Sequence, residues 1–297
     1  MPLQAVLLVL LGALIHAGWN IAAKKANGDA RFTFFSCAIM LVVWSPLCIW
    51  LGWNVVPTWG IKEWGLMALS GFVHWVYFYC LLTGYRKSDL TIVYPLARGS
   101  GPLLSSSVAV VVFGEQLSSL GVLGIAGVVV GVFLVAGGPA LFTSFSKAAH
   151  DPAKKERVKA GVFWGLLTGA LIACYTVLDA YAVKVIALSP ILFDYWCNVL
   201  RLPYAAVPVL RNRPEAWRLW KLQWKYAAIV AVFSPIAYVC VLYAVLIAPV
   251  SHVAPAREVS MLFAALIGGH LLGEGDRWLR VVGAAAIAVG VIALALG

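Results

Sequence analysis

Three arginines stand within long apolar runs of this chain: Arg98, Arg201 and Arg257. A guanidinium at the centre of a membrane-spanning helix costs about 2.5–3.5 kcal/mol by insertion scales, so each should face a protein interior, a partner or a water-filled cavity. Two of the three are related by an internal repeat. The stretch LTIVYPLARGSGPLLSSSVAVVVFGEQ (90–116) and the stretch PVSHVAPAREVSMLFAALIGGHLLGEG (249–275) superimpose at an offset of 159 positions, laying Ala97-Arg98 on Ala256-Arg257 and Gly114-Glu115 on Gly273-Glu274. In each copy a proline precedes the arginine, and proline removes a helical hydrogen bond and leaves a backbone carbonyl without its partner. A fixed charge beside freed carbonyls suits the binding of a polar solute. Arg98 and Arg257 are read as binding residues for that reason.

Acids lie in the same apolar runs: Asp179, Asp194 and Glu258. Three positive and three negative charges make a nearly neutral, dipolar interior, suited to an amino-acid-like, zwitterionic or anionic metabolite. Arg201 follows Asp194 by seven residues on one helix face and is read as its ion-pair partner. Glu258 directly follows Arg257, whereas Gly99 follows Arg98, so Arg257 is expected to be paired internally and Arg98 to be the freer charge. Aromatic side chains with polar tips, which can clamp an organic solute and face a cation, complete the set. The expected binding residues are Arg98, Arg257, Glu258, Trp19, Asn20, Tyr79, Tyr94, Tyr175, Tyr238 and Trp75. His16, His74 and Asp179 are candidates for carrying a coupling proton. Glu115 and Glu274 are read as helix-end residues whose carboxylates meet headgroups or backbone N–H groups.

Catalytic residues, a metal site and a cofactor are not expected. The six cysteines are scattered through apolar runs with no CxxC pair, which reads as small core residues. No Walker loop, HExxH or GxSxG occurs.

These residues need a scaffold that places them at membrane depth. The chain is 63% hydrophobic and 11% charged, with a mean hydropathy of +0.92, which excludes an ordinary water-soluble surface. Its apolar runs are continuous and about 20 residues long, the length a helix needs to cross about 30 Å of hydrocarbon. Ten runs can be marked, at 3–22, 33–51, 64–83, 90–113, 119–138, 160–180, 188–209, 226–246, 249–272 and 278–296. The fold class is an all-α integral membrane protein of ten transmembrane helices. The basic stretch 143–159 divides it into a first five-helix repeat (1–142) and a second (160–297). GALI at 12–15 recurs at 169–172, and Tyr79 falls on Tyr238 at the 159-residue offset. Five is odd, so consecutive copies cross the membrane in opposite senses, giving inverted repeats whose solute site lies near the midplane.

Seventeen lysines and arginines lie in the loops after spans one, three, five, seven and nine, against two, Lys62 and Lys184, on the other side. The positive-inside rule then puts the linker in the cytoplasm and both termini outside. The net charge of +10 is absorbed by this bias and by anionic headgroups, and no nucleic-acid partner is expected. The fifth and tenth spans carry rows of small residues, Gly121, Gly124, Gly127 and Gly131 against Gly283, Ala284, Ala286 and Gly290, which let helices approach closely. They are read as scaffold and as the contact of a homodimer.

The two five-span halves, the PLARGSGP and PAREVS segments opening the fourth and ninth spans, and the Gly-Glu closing each resemble the drug/metabolite transporter superfamily, in its ten-span form with two EamA domains. The resemblance implies a central cavity lined by spans one, three, four, six, eight and nine, alternating access, and small metabolites as cargo, often exported across the plasma (bacterial inner) membrane. The PLARGSGP form is also similar to a subgroup associated with phosphonate use. The termini-outside orientation departs from the cytoplasmic termini usual in ten-span relatives. Two other classes compete: a membrane enzyme acting on lipid-linked substrates, and a receptor or assembly protein without flux.

Overall fold

The computed structural model describes residues 1–136, 138, 142, 144, 146, 151–268 and 277–297. Among these, the helices are α1 (Leu3–Ala26), α2 (Ala30–Gly52), α3 (Ile61–Lys87), α4 (Leu90–Phe113), α5 (Ser119–Val135), α6 (Pro152–Lys184), α7 (Pro190–Arg211), α8 (Arg213–Ile247), α9 (Val250–Ala256), α10 (Val259–Gly268) and α11 (Arg277–Leu296). Six of them, α1, α2, α3, α4, α6 and α8, are long and apolar enough to cross a membrane by length and composition. The molecule is dressed for hydrocarbon. Leu3, Leu7, Leu11 and Leu14 form an exposed apolar stripe along α1, while Ala5, Val9, Ala13 and Ala17 on its other side are buried. Polar residues such as Ser70, Thr168, Asp179 and Glu258 sit inside.

Local sequence sets the helix ends. Asp29 caps α2 through the Arg31 N–H at 2.9 Å, and Ser118 caps α5 through the Gly121 N–H at 2.9 Å. Asp151 accepts from the Ala153 and Lys154 N–H groups at 3.0 and 3.3 Å, with Pro152 in the first turn where its missing N–H costs nothing. These bonds to the charged form hold the Asp151 carboxyl below its ordinary value. α4 ends at Gly114, whose φ of +63° is a left-handed turn that glycine adopts without penalty.

Two expectations are corrected. The sixth and eighth spans are longer than their apolar runs: α6 starts at Pro152, inside the stretch read as linker, and α8 starts at Arg213. Their basic first turns are helical and protrude beyond the apolar length. The ninth span is broken. α9 stops at Ala256 and α10 starts at Val259, and between them the bonds tighten to i→i−3: Glu258 N–H to Pro255 at 3.0 Å, Ser260 to Arg257 at 3.1 Å and Met261 to Glu258 at 2.9 Å. By contrast α4 runs unbroken through Pro95 and Pro102. Pro255 deprives the Ser251 carbonyl of its helical donor, and Ser106 Oγ on α4 donates to that carbonyl instead at 2.9 Å.

Packing follows an internal two-fold. α1 lies on α8, as α3 lies on α6; α4 packs on α6, as α10 packs on α1; α2 meets α8, as α3 meets α7; and α2 with α7, and α5 with α11, are paired across the axis. This is the pattern of two inverted five-helix repeats, α1–α5 and α6–α11. The small-residue faces of α5 and α11 are spent on each other within the chain. A Cβ on Gly131 would lie 2.6 Å from the Gly283 carbonyl oxygen, and one on Gly124 would lie 2.9 Å from that of Gly290. A homodimer through these spans would have to use their outer faces, where Leu123, Val130 and Val289 are exposed.

Candidate functional site

Where the two repeats face each other they enclose a cavity of about 790 Å³, lined by α1, α2, α3, α4, α6, α7, α8, α10 and the α9–α10 break. On α1 the lining runs from Gly12 to Lys24, and on α3 from Ser70 to Tyr85, in both cases from mid-helix to the basic end. The cavity therefore reaches the face that carries Lys24, Arg86 and Arg157, and on α6 and α7 its lining continues to Asp179 and Phe193, towards the opposite ends of those helices.

Arg98 and Arg257 meet over one acid. Arg98 Nη2 lies 2.9 Å from Glu258 Oε2, and Arg257 Nε lies 3.6 Å from Glu258 Oε1. Sharing is possible because α4 delivers Arg98 from across the axis while the broken ninth span presents Arg257 and Glu258 together. The expected ranking of the arginines is reversed, since the closer partner of Glu258 is Arg98. Adjacency in sequence is a poor guide here: neighbouring side chains diverge by roughly 100° on a helix, whereas a residue on a facing helix can approach head-on. Arg257 lies over the Tyr175 ring, its guanidinium carbon 5.8 Å from the centroid, with Nη2 3.5 Å from the Tyr175 hydroxyl.

A second polar group lies on the α3, α6 and α8 walls. Asp179 is fully buried and accepts from Ser70 Oγ at 2.6 Å and from the Tyr238 hydroxyl, with His74 Nε2 3.8 Å away. His74 Nδ1 contacts the Ser70 carbonyl at 2.9 Å, and its ring stacks on Tyr175 at 4.1 Å. Tyr175 thus joins the arginine cluster to the Asp179 cluster. His16 packs edge-on to Trp19 at 4.7 Å, and Asn20 Nδ2 donates to the His16 carbonyl at 2.9 Å.

On α7 the expected Asp194–Arg201 pair does not form. Two helical turns separate the residues by about 10 Å along the axis, and the Asn198 amide fills the gap. Its nitrogen donates to Asp194 Oδ1 at 3.2 Å, and its oxygen accepts from Arg201 Nη2, which also contacts Cys37 Sγ at 3.3 Å.

Of the residues expected to bind, Trp19, Asn20, Tyr94, Arg98, Tyr175, Tyr238, Arg257 and Glu258 line the cavity, as do His16, His74 and Asp179. Trp75 and Tyr79 do not. They stack on each other at 6.1 Å on the outer side of α3, Trp75 also against Tyr204 of α7, and Tyr79 is 53% exposed. The cavity face of α3 is Ser70, His74, Tyr77, Leu81 and Tyr85. Ser70, Asn198 and Cys37 were not singled out as binding residues. For Ser70 the available signal was its spacing of four from His74, which puts both on one face.

The end opposite the cavity mouth is tied shut. Glu115, just beyond α4, accepts from the Val250 and Ser251 N–H groups at 2.7 and 2.8 Å, and so holds the start of α9. Lys184, at the end of α6, lies 3.7 Å from the same carboxylate and donates to the Ala248 carbonyl at 3.0 Å. Of the two carboxylates read as helix-end residues, Glu115 meets backbone N–H groups, and Glu274 lies outside the described residues. The chain termini share this end, with the Met1 amino group donating to Ala295 O at 2.6 Å.

A model of the EamA-like transporter family matches the chain twice, over residues 3–137 and 159–296. Among the 27 matching chains of solved structures, one described only as a crystal structure of a protein superposes with a TM-score of 0.72, covering 98% of this chain and 96% of its own length at 13% identity. At that identity the likeness is one of fold. No curated protein sequence matches.

Proposed function

Since the chain belongs to the EamA-like transporter family, multi-pass membrane transporters of the drug/metabolite superfamily, we propose that it is a secondary transporter that moves a small polar, amino-acid-like, zwitterionic or anionic metabolite by alternating access. The observation that carries the reading is the cavity between inverted halves, lined by charged and aromatic side chains and reaching one face. In this arrangement Arg98 and Arg257, which share Glu258, receive the charged group of the solute, while Trp19, Asn20, Tyr94, Tyr175 and Tyr238 hold its body.

By the charge bias of the loops the cavity mouth faces the cytoplasm. Loading from that side fits export. The Glu115–Lys184 tie closes the far side, and breaking it while the basic ends of α1 and α3 come together gives the outward-open state. Asp179, held by Ser70 and Tyr238 beside His74, is the group we assign to proton coupling, because it is a carboxyl on the cavity wall that can bind and release a proton among two hydroxyls and an imidazole. His16 is the weaker candidate, having no carboxylate partner within ion-pair distance among the described residues. Reconstitution into proteoliposomes with counterflow of labelled amino acids and organic acids tests the reading. Accumulation that depends on unlabelled internal solute supports it, and a protein that binds such solutes yet never moves them is a receptor.

A further inference from the structure

We propose that the transported solute carries a single carboxylate, which docks between Arg98 and Arg257 in the place that Glu258 holds in this structure. The inference rests on the transport reading above and narrows it to a substrate class.

Charge count is the first support. Two guanidiniums share one carboxylate, one oxygen each, which leaves this cluster one positive charge in excess at membrane depth. Glu258 is 1% exposed, while Arg98 and Arg257 keep 19% and 13% of their side chains open. All three line the cavity, and the two cations are its more open members. One further monoanion balances the cluster, whereas a dianion overshoots it and a cation worsens it.

Hydrogen-bond inventory is the second. Arg98 Nε and Trp19 Nε1 are buried N–H donors with no acceptor among the described residues, and both residues line this cavity. Buried donors without acceptors are costly and call for a group that only accepts. A carboxylate is such a group, and it fits the fork formed by Nε and one Nη of a guanidinium. An amide or ammonium would bring more donors to a place that already has a surplus. Glu258 is a carboxylate held there by charge, 2.9 Å from Arg98 Nη2, but its Oε2 makes no hydrogen bond among the described residues and the fork stays unfilled. It sits at the break between α9 and α10, so its release does not require unwinding a regular helix. The rings of Trp19, Tyr77, Tyr94 and Tyr175 give the remainder of the solute an aromatic wall, which an inorganic anion would leave unused.

Four probes of one size separate the possibilities: phenylacetate, phenylacetamide, phenethylamine and phenylphosphonate, titrated by thermal unfolding and by tryptophan fluorescence. Phenylacetate should bind at least about tenfold more tightly than each of the others, the discrimination of a charge-assisted contact. Glu258→Gln removes the resident competitor and should strengthen phenylacetate binding about tenfold. Arg98→Gln should abolish the preference. Arg98→Lys, which keeps the charge and loses the fork, should reduce it while leaving the fold intact. Equal binding of the amide or amine, tighter binding of the phosphonate, failure of phenylacetate to bind both wild type and Glu258→Gln, or weaker binding in Glu258→Gln each overturns the proposal. Counterflow in proteoliposomes separates it from its premise. Carboxylate-selective binding without flux removes the transport reading and leaves the site, whereas flux of an amine indifferent to Arg98 removes the site and leaves transport.

Discussion

Replacing Glu115 by alanine should open the sealed end of the molecule. Glu115 makes two short charge-assisted hydrogen bonds, at 2.7 and 2.8 Å, to the first N–H groups of α9, and its charge is answered by Lys184 at 3.7 Å. Hydrogen bonds to charged groups contribute about 1.5–3 kcal/mol each. Taking the low end for both gives about 3 kcal/mol, present only while α4, α6 and α9 are held together. At about 1.4 kcal/mol per factor of ten, the closed-to-open ratio should fall by about two orders of magnitude. Glu115→Gln keeps one acceptor and loses the charge, so its effect should be smaller. Val253 on α9 is fully buried behind this tie and serves as the reporter. In a background where the exposed Cys174 is changed to serine, a Val253→Cys chain should resist an impermeant maleimide added from outside. The Glu115→Ala version should react about a hundredfold faster. Should the two label at the same rate with equal thermal stability, the tie is an ordinary helix cap and the gate lies elsewhere.

Three further outcomes are expected. Asp179→Asn keeps the size of the side chain and one acceptor for Ser70 or Tyr238 but cannot carry a proton; substrate counterflow should persist while accumulation driven by an imposed pH gradient disappears, and retention of the gradient response would move coupling to another group. Gly131→Val drives a side chain into the Gly283 backbone, so the melting temperature should fall by the equivalent of about 1–3 kcal/mol or more, whereas an unchanged melting curve would mean that the α5–α11 contact is looser than described. Trp75→Phe and Tyr79→Phe, on the outer side of α3, should leave substrate affinity within about twofold, the scatter expected of a surface change under about 0.5 kcal/mol; a large loss of affinity would return them to the binding site.

Hydropathy and duplication are signals carried along the chain, and they delivered the ten spans and the duplicated halves, and eight of the ten residues expected to bind line the cavity. What they could not deliver is rotation. In a soluble helix the polar face marks the exterior, but α3 is apolar or aromatic on both its lipid side and its packed side. Tyr79 and Tyr77 therefore look equivalent until the helix is seen against α6 and α7. The repeat even pointed the wrong way: Tyr79 aligns with Tyr238, which reaches Asp179, while Tyr79 itself faces outward. Partner choice was hidden for a similar reason. Glu258 next to Arg257, and Arg201 seven residues from Asp194, are patterns within one helix, whereas the observed contacts of Glu258 with Arg98 and of Arg201 with Cys37 come from facing helices. The break in the ninth span was signalled only by Pro255, and prolines at 95 and 102 leave α4 continuous. Proline creates a weak point, and tertiary partners such as Ser106 decide whether the helix yields there.

The seam between α5 and α11 has a further consequence. It is made of backbone lying on backbone, with Gly124, Gly127 and Gly131 of one copy against Gly283 and Gly290 of the other. Affinity between the halves is thus written into the halves themselves. Severed between the repeats and made as two polypeptides, the molecule should reassemble as a heterodimer. Over generations the seam should drift in concert, a bulkier residue on one side being tolerated only after a smaller one appears opposite.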